Sequence, residues 1–147
     1  MKLSQLVYVS DACEAMTQDA IELIMKRCRR NNGERNITGL LLYSGGHFIQ
    51  LLEGHQPVLA NLFATIRADA RHHNVQQLYF EPAAVRLFPD WRMGLLNLDT
   101  IGALDRSRLQ SFIERLKKPY QGAGILGLLR EFRDQLPATD GARDQAA

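Results

Sequence analysis

Two β-rich runs, Asn36 to Tyr43 and Phe48 to Glu53, flank the short stretch Ser44-Gly45-Gly46-His47. Paired glycines between two apolar, β-rich runs are a strong hairpin signal, because tight hairpin turns need positive φ at their centre. That hairpin sets two antiparallel strands side by side and restricts what can surround them. The second strand carries Gln50 in otherwise apolar company. A primary amide buried without partners costs ~1–3 kcal/mol. Gln50 must therefore be hydrogen-bonded, by a neighbouring side chain or by a ligand.

The flanking segments extend the pattern. Leu3 to Ser10 reads as a strand, and Thr17 is placed to cap a helix whose stripe is Ile21, Ile24, Cys28 and Asn31. Asn31-Asn32-Gly33 ends that helix. Pro57 suits the first turn of a second helix, with Leu59, Leu62, Phe63 and Ile66 facing inward. His72 and His73 read as sitting at a helix C-terminus, where positive charge is favourable. Val75 to Val85 reads as a strand, and Pro82 within it signals an edge or an irregularity. Met93 to Leu98 supplies a fifth strand.

The order βαββαββ is that of an α+β, ferredoxin-like sandwich: a five-stranded mixed sheet with two helices on one face. The first and third strands are expected side by side and parallel at the sheet centre. Tyr8 and Gln50 then become neighbours on the helix-covered face, with Ile24 and Ile66 pointing back at them and Asn31 and Asn32 at one end.

Residues 1–100 form one domain in this reading. Within 101–136 two helical stripes recur, Leu109, Phe112, Ile113 and Leu116, then Ile125, Leu128, Leu129, Phe132 and Leu136, and they predict a helical hairpin. This hairpin should pack on the second sheet face or against a partner. Residues 137–147 are small and polar and read as a disordered tail.

Composition narrows the function. A chain of 147 residues with 46% hydrophobic and 23% charged residues is an ordinary globule with a real core. Its net charge of +2 is too small to argue for nucleic acid. No apolar run approaches the ~20 residues of a membrane span, and no signal peptide opens the chain. The two cysteines, Cys13 and Cys28, match no metal or redox spacing. A cytoplasmic, metal-free protein is the expectation.

Taken together, Tyr8 in LVYVS, Asn31-Asn32, the block from Asn36 to Gly54 with Gln50, and Phe88-Pro89-Asp90-Trp91-Arg92-Met93 resemble the BLUF family of blue-light sensors. The helical hairpin resembles that of its short stand-alone members. The resemblance implies a non-covalently bound flavin, with FAD expected and FMN or riboflavin sharing the same ring contacts. It implies Ile24 and Ile66 on the ring faces, Asn32 and Asn31 at the pyrimidine edge, and Phe48 among the contacts. Arg67, Asp69, Arg71 and His72 would lie towards the ribityl-phosphate tail. Gln50 would bridge the flavin to Tyr8. It further implies that light drives an electron and a proton from Tyr8 towards the flavin through Gln50 and back. Gln50 is left rotated or tautomerised, with a red-shifted absorption. Trp91, Met93 and Ser10 would relay the change to the last strand and to an unidentified downstream protein or a homo-oligomer. No net reaction is catalysed in this scheme.

Two other functions share the topology. An acylphosphatase-like enzyme wants an anion cradle in its first loop, whereas Asp11-Ala12-Cys13-Glu14 is acidic there. An RNA-binding sheet wants exposed aromatics on its central strands, which Tyr8 and Phe48 could imitate.

Overall fold

The computed structural model describes residues 2–14, 17, 19–26, 35–90 and 92–97. Strands β1 (Leu3–Ala12), β2 (Thr38–Ser44), β3 (His47–His55), β4 (His72–Pro82) and β5 (Gly94–Asn97) form one sheet in the order β4-β1-β3-β2-β5. Residues 19–26 form a helix, α1, between β1 and β2. A second helix, α2 (Gln56–Arg67), joins β3 to β4. The expected α+β order is present.

One expectation is corrected. β1 and β3 do lie side by side at the centre, but they run antiparallel, from Leu3 opposite His55 to Asp11 opposite His47. The hairpin explains this. Gly45 (φ 51°) and Gly46 (φ 84°) turn the chain back after β2, so β3 must oppose it. β1 and β2 share a direction across the α1 connection, and β3 slots between them. β5 pairs parallel with β2, Leu40 facing Gly94, which makes the sheet mixed.

Local chemistry sets each element. Thr17 Oγ accepts from the Ala20 amide at 3.1 Å, so this threonine caps α1 as its sequence position suggests. Pro57 occupies the first turn of α2. Pro82 ends β4, which is indeed an edge strand. The β1–β4 ladder shifts register between Val7 and Tyr8 and again between Val9 and Asp11. Such bulges bend a strand and re-aim its side chains. Gly39, at φ 153°, leaves no room for a side chain: a Cβ there would sit 1.9 Å from the Leu51 carbonyl oxygen.

Ile21 and Met25 of α1 and Leu59 and Phe63 of α2 bury themselves against Leu6, Tyr8, Leu41, Tyr43, Phe48 and Leu52. Each such side chain contributes about 1.5–3 kcal/mol by leaving water. Of the stripes read in sequence, Ile24, Leu62 and Ile66 are half-buried. The other sheet face is apolar too: Val7, Val9, Leu40, Leu42, Ile49 and Leu51 are all buried. Asn31, Asn32, Cys28, Trp91, and the segments 101–136 and 137–147 for which a helical hairpin and a disordered tail are expected, lie outside the described residues.

Candidate functional site

Tyr8 sits mid-way along β1, directly opposite Gln50 on β3. Facing residues of an antiparallel pair project to the same side of the sheet, so the two side chains meet beneath the helices. Both are 4% exposed. The Tyr8 hydroxyl donates to Gln50 Oε1 at 2.5 Å. The amide's other end, Nε2, donates to Met93 Sδ at 3.3 Å. Met93 is buried, just ahead of β5. No buried side-chain polar atom lacks a partner among the described residues, so the strand amide has been accommodated. Its acceptor meets a phenol and its donor a soft thioether.

Aromatic rings surround the pair. The Tyr8 ring lies 5.5 Å from Phe63, tilted by 43°. His72 approaches Tyr8 edge-on at 6.2 Å and Phe48 at 6.4 Å. The His72 ring is itself held at both nitrogens. Nε2 meets the Ile66 carbonyl at 2.5 Å, and Nδ1 meets Ser10 Oγ at 2.7 Å. A carbonyl can only accept, so Nε2 carries the proton; in the neutral ring Nδ1 then accepts from the serine hydroxyl. Ser10 is thereby joined to the end of α2. The register shift beside it lets β4 bring His72 under β1.

The remaining sequence candidates lie on the α2–β4 connection. Arg67, in the last turn of α2, places its guanidinium 4.8 Å from the Phe63 ring centre. Asp69 is clasped by the Arg71 guanidinium and by its backbone amide at 2.9 Å. The Arg71 contact holds the Asp69 carboxyl down at about 2, against a weaker upward push from burial. His72 and His73 carry a correction: the sequence suggests a helix C-terminus for them, yet α2 stops at Arg67 and both histidines open β4. Ile66 packs against the core, and Ile24 is half-buried on α1.

Sequence reasoning missed a second polar centre. Glu53 is fully buried and receives hydrogen bonds from Gln5, Thr38 and the backbone of Leu87 and Phe88. The signal was the one that singled out Gln50, a polar residue inside an apolar run. Near the sheet end Asp11 pairs with His47 at 2.7 Å and accepts from Asn74 at 3.1 Å. The Asn74 and His47 bonds hold the Asp11 carboxyl below its ordinary value. Cys13 is a free, exposed thiol. No cluster able to hold a metal ion occurs among the described residues, and no described helix is long and apolar enough to cross a membrane.

The arrangement defines an α+β domain with a phenol–amide–thioether chain at the centre of its helix-covered face. Residues 3–94 match the model of the BLUF family, sensors of blue-light using FAD, and the chain belongs to that family of flavin-binding photoreceptors. A solved BLUF protein, BlrB in its dark state, superposes with a TM-score of 0.74 at 33% identity, covering 92% of this chain and 98% of that one. A bacterial light-regulated adenylyl cyclase gives a TM-score of 0.71 at 32% identity, covering 88% of this chain and 39% of that one. Among sequences, photoactivated adenylate cyclase subunit beta of Euglena gracilis is 36% identical over 92 residues, 62% of this chain and 11% of the relative. The blue light- and temperature-regulated antirepressor BluF of Escherichia coli is 33% identical over 96 residues, 65% of this chain and 24% of the relative. The chain thus spans a small part of these longer relatives.

The described residues fit a flavin. Tyr8 and Gln50 each offer both a donor and an acceptor, which a ring edge of alternating polarity requires. They are set among aromatic and aliphatic side chains suited to a planar apolar surface.

Proposed function

We propose that this protein senses blue light through a switch made of Tyr8, Gln50 and Met93. The observation that carries the reading is the continuous chain from the phenol, through both ends of one amide, to the thioether. In this reading Ile24 and Ile66 flank the ring, Asn31 and Asn32 take its polar edge, and Phe48 helps to floor the site. Arg67, Arg71 and His72 lie towards the tail, with Asp69 orienting Arg71. A bound flavin supplies an oxidant that exists only after blue-light absorption.

Tyr8 is the oxidisable group, and its phenolic proton already points along a 2.5 Å hydrogen bond to Gln50 Oε1. Loss of an electron acidifies the phenol, so the proton moves onto the amide oxygen. Return of electron and proton restores Tyr8 and leaves no net reaction. Gln50, freed in between, is left rotated or tautomerised. Its Nε2 then abandons Met93, and the change reaches β5, which is paired with β2. Trp91 and Ser10 complete the relay, and the stripes of 101–136 pass the signal to another protein or to a second copy of the chain. The RNA-binding alternative finds no support, since Tyr8 and Phe48 are buried under α2 rather than displayed.

Colour tests the reading. Purified protein should be yellow, and a blue pulse should produce a small, reversible red shift that Tyr8→Phe abolishes. Chromatography of the flavin released on denaturation should identify FAD, FMN or riboflavin. A colourless protein without affinity for added flavin would remove the site. A full photocycle in Tyr8→Phe would remove the mechanism alone.

A further inference from the structure

Glu53 follows Gln50 on β3 at an odd spacing, so the two side chains point to opposite faces of the sheet. Its carboxylate is fully buried, and a buried carboxyl is costly unless hydrogen bonds compensate it. They do. Oε2 accepts from the Leu87 amide at 2.6 Å and from Gln5 Nε2 at 2.8 Å. Oε1 accepts from the Phe88 amide at 2.8 Å and from Thr38 Oγ at 3.3 Å. Arg86 closes the assembly from outside. Its Nη1 reaches Thr38 Oγ at 2.7 Å and the Glu53 carbonyl at 3.0 Å, and its Nη2 reaches the Asn36 carbonyl at 2.8 Å.

Two consecutive backbone amides are therefore fastened to β3 by one side chain. The segment they belong to continues to Met93, the acceptor for Gln50 Nε2. Strand β3 thus holds this connection twice: through Glu53 on one face, and through the switch amide on the other. An apolar residue at position 53 could fill the same volume. It could not accept from Leu87 and Phe88 and so could not set where the loop begins.

We propose that Glu53 is a positioning residue of the light switch. By holding residues 86–88 on β3 it places the Met93 sulfur against Gln50 Nε2, and it gives the loop a fixed end about which Met93 moves. The proposal rests on the photosensor reading above.

Glu53→Gln tests it, because an NH2 replaces one acceptor oxygen in a site that presents donors. The readouts are dark recovery after a blue pulse, the size of the red shift, and the melting temperature, all on the full flavin-loaded chain. Displacing Met93 removes a bond that favours the dark orientation of the amide. Recovery should slow by ~5-fold, the worth of one hydrogen bond regained on the way back. In a Met93→Ala background Glu53→Gln should slow recovery no further, since both changes act through one contact. A purely structural Glu53 would lower the melting temperature and leave recovery at the wild-type rate, or would slow it equally with and without Met93. Either result overturns the proposal. If Glu53→Gln does not fold, Arg86→Ala loosens the same segment and should slow recovery ~2-fold, again through Met93 only; unchanged recovery there overturns the proposal as well. A flavin-loaded wild type without any light response overturns the photosensor reading and this inference together. A responsive wild type with an indifferent Glu53→Gln overturns this inference alone.

Discussion

The Gln50 side chain ends in a donor and an acceptor exchanged by a half-turn about one bond. In the observed orientation the oxygen takes the Tyr8 proton and the nitrogen faces the Met93 sulfur. A half-turn would set oxygen against sulfur, where there is no proton to share, and would turn Nε2 towards the phenol oxygen, which can also accept. Of the two neighbours it is therefore the Met93 sulfur that discriminates between the orientations. Met93→Leu keeps the volume and removes the acceptor, so the observed orientation should lose about 0.5–1 kcal/mol of preference. Dark recovery should then slow by ~2–5-fold in flash spectroscopy, with flavin binding unchanged. Gln50→Leu should abolish the red shift; a persisting shift of full size would show that the amide is not the switch. Gln50 was legible in sequence because a strand amide must find partners. Glu53 followed from the same logic, but its partners Leu87 and Phe88 lie in a loop whose path no local pattern discloses.

At the scale of elements, the connection from α2 to β4 determines how His72 reaches Tyr8. Arg71, His72 and His73 look in sequence like the basic end of a helix. The Asp69 carboxylate gathers Arg71 into a tight turn instead, and the chain enters β4 at His72. That competition between a side-chain turn and a helical end was invisible to periodicity. The β1–β3 direction was misread for a related reason: strand existence is local, whereas direction depends on the whole path. The hairpin glycines, Thr17 and Pro57 were legible because their roles are set within a few residues. The Asp69 turn carries a pH signature. Its folded-state carboxyl lies at about 2 against an ordinary 3.8, so its stabilisation is complete above 3.8 and fades as pH falls towards about 2. Asp11 is depressed in the same direction and adds to the loss. Asp69→Asn should therefore narrow the gap between melting temperatures at neutral pH and near pH 3; an unchanged gap would assign acid lability elsewhere. Within the sheet, Gly39→Ala must push β2 off Leu51, at a cost of about 3 kcal/mol or more by thermal unfolding.

For the whole molecule, the central strands are apolar on both sides, while α1 and α2 pack on the face that carries Tyr8 and Gln50. Val7, Val9, Leu40, Leu42, Ile49 and Leu51 on the second face are buried nonetheless, and an exposed patch of that kind would mark an interaction or aggregation surface. The stripes within 101–136, proposed above as the output element, carry the apolar side chains such a face requires. Their role can be separated from a dimer role by one charge. If the second stripe packs on its own sheet, Phe132→Asp buries a carboxylate and should cost about 3–5 kcal/mol, lowering the melting temperature at unchanged mass. If the stripe joins two copies, the same change should lower the mass measured by light scattering and leave the melting temperature of the monomer nearly intact. A variant identical to wild type in both would show that this stripe neither covers the sheet nor joins copies. Light should act on whichever contact exists, because Met93 lies just ahead of β5, the last described strand. The dark and lit masses of wild type should then differ in the second case and agree in the first.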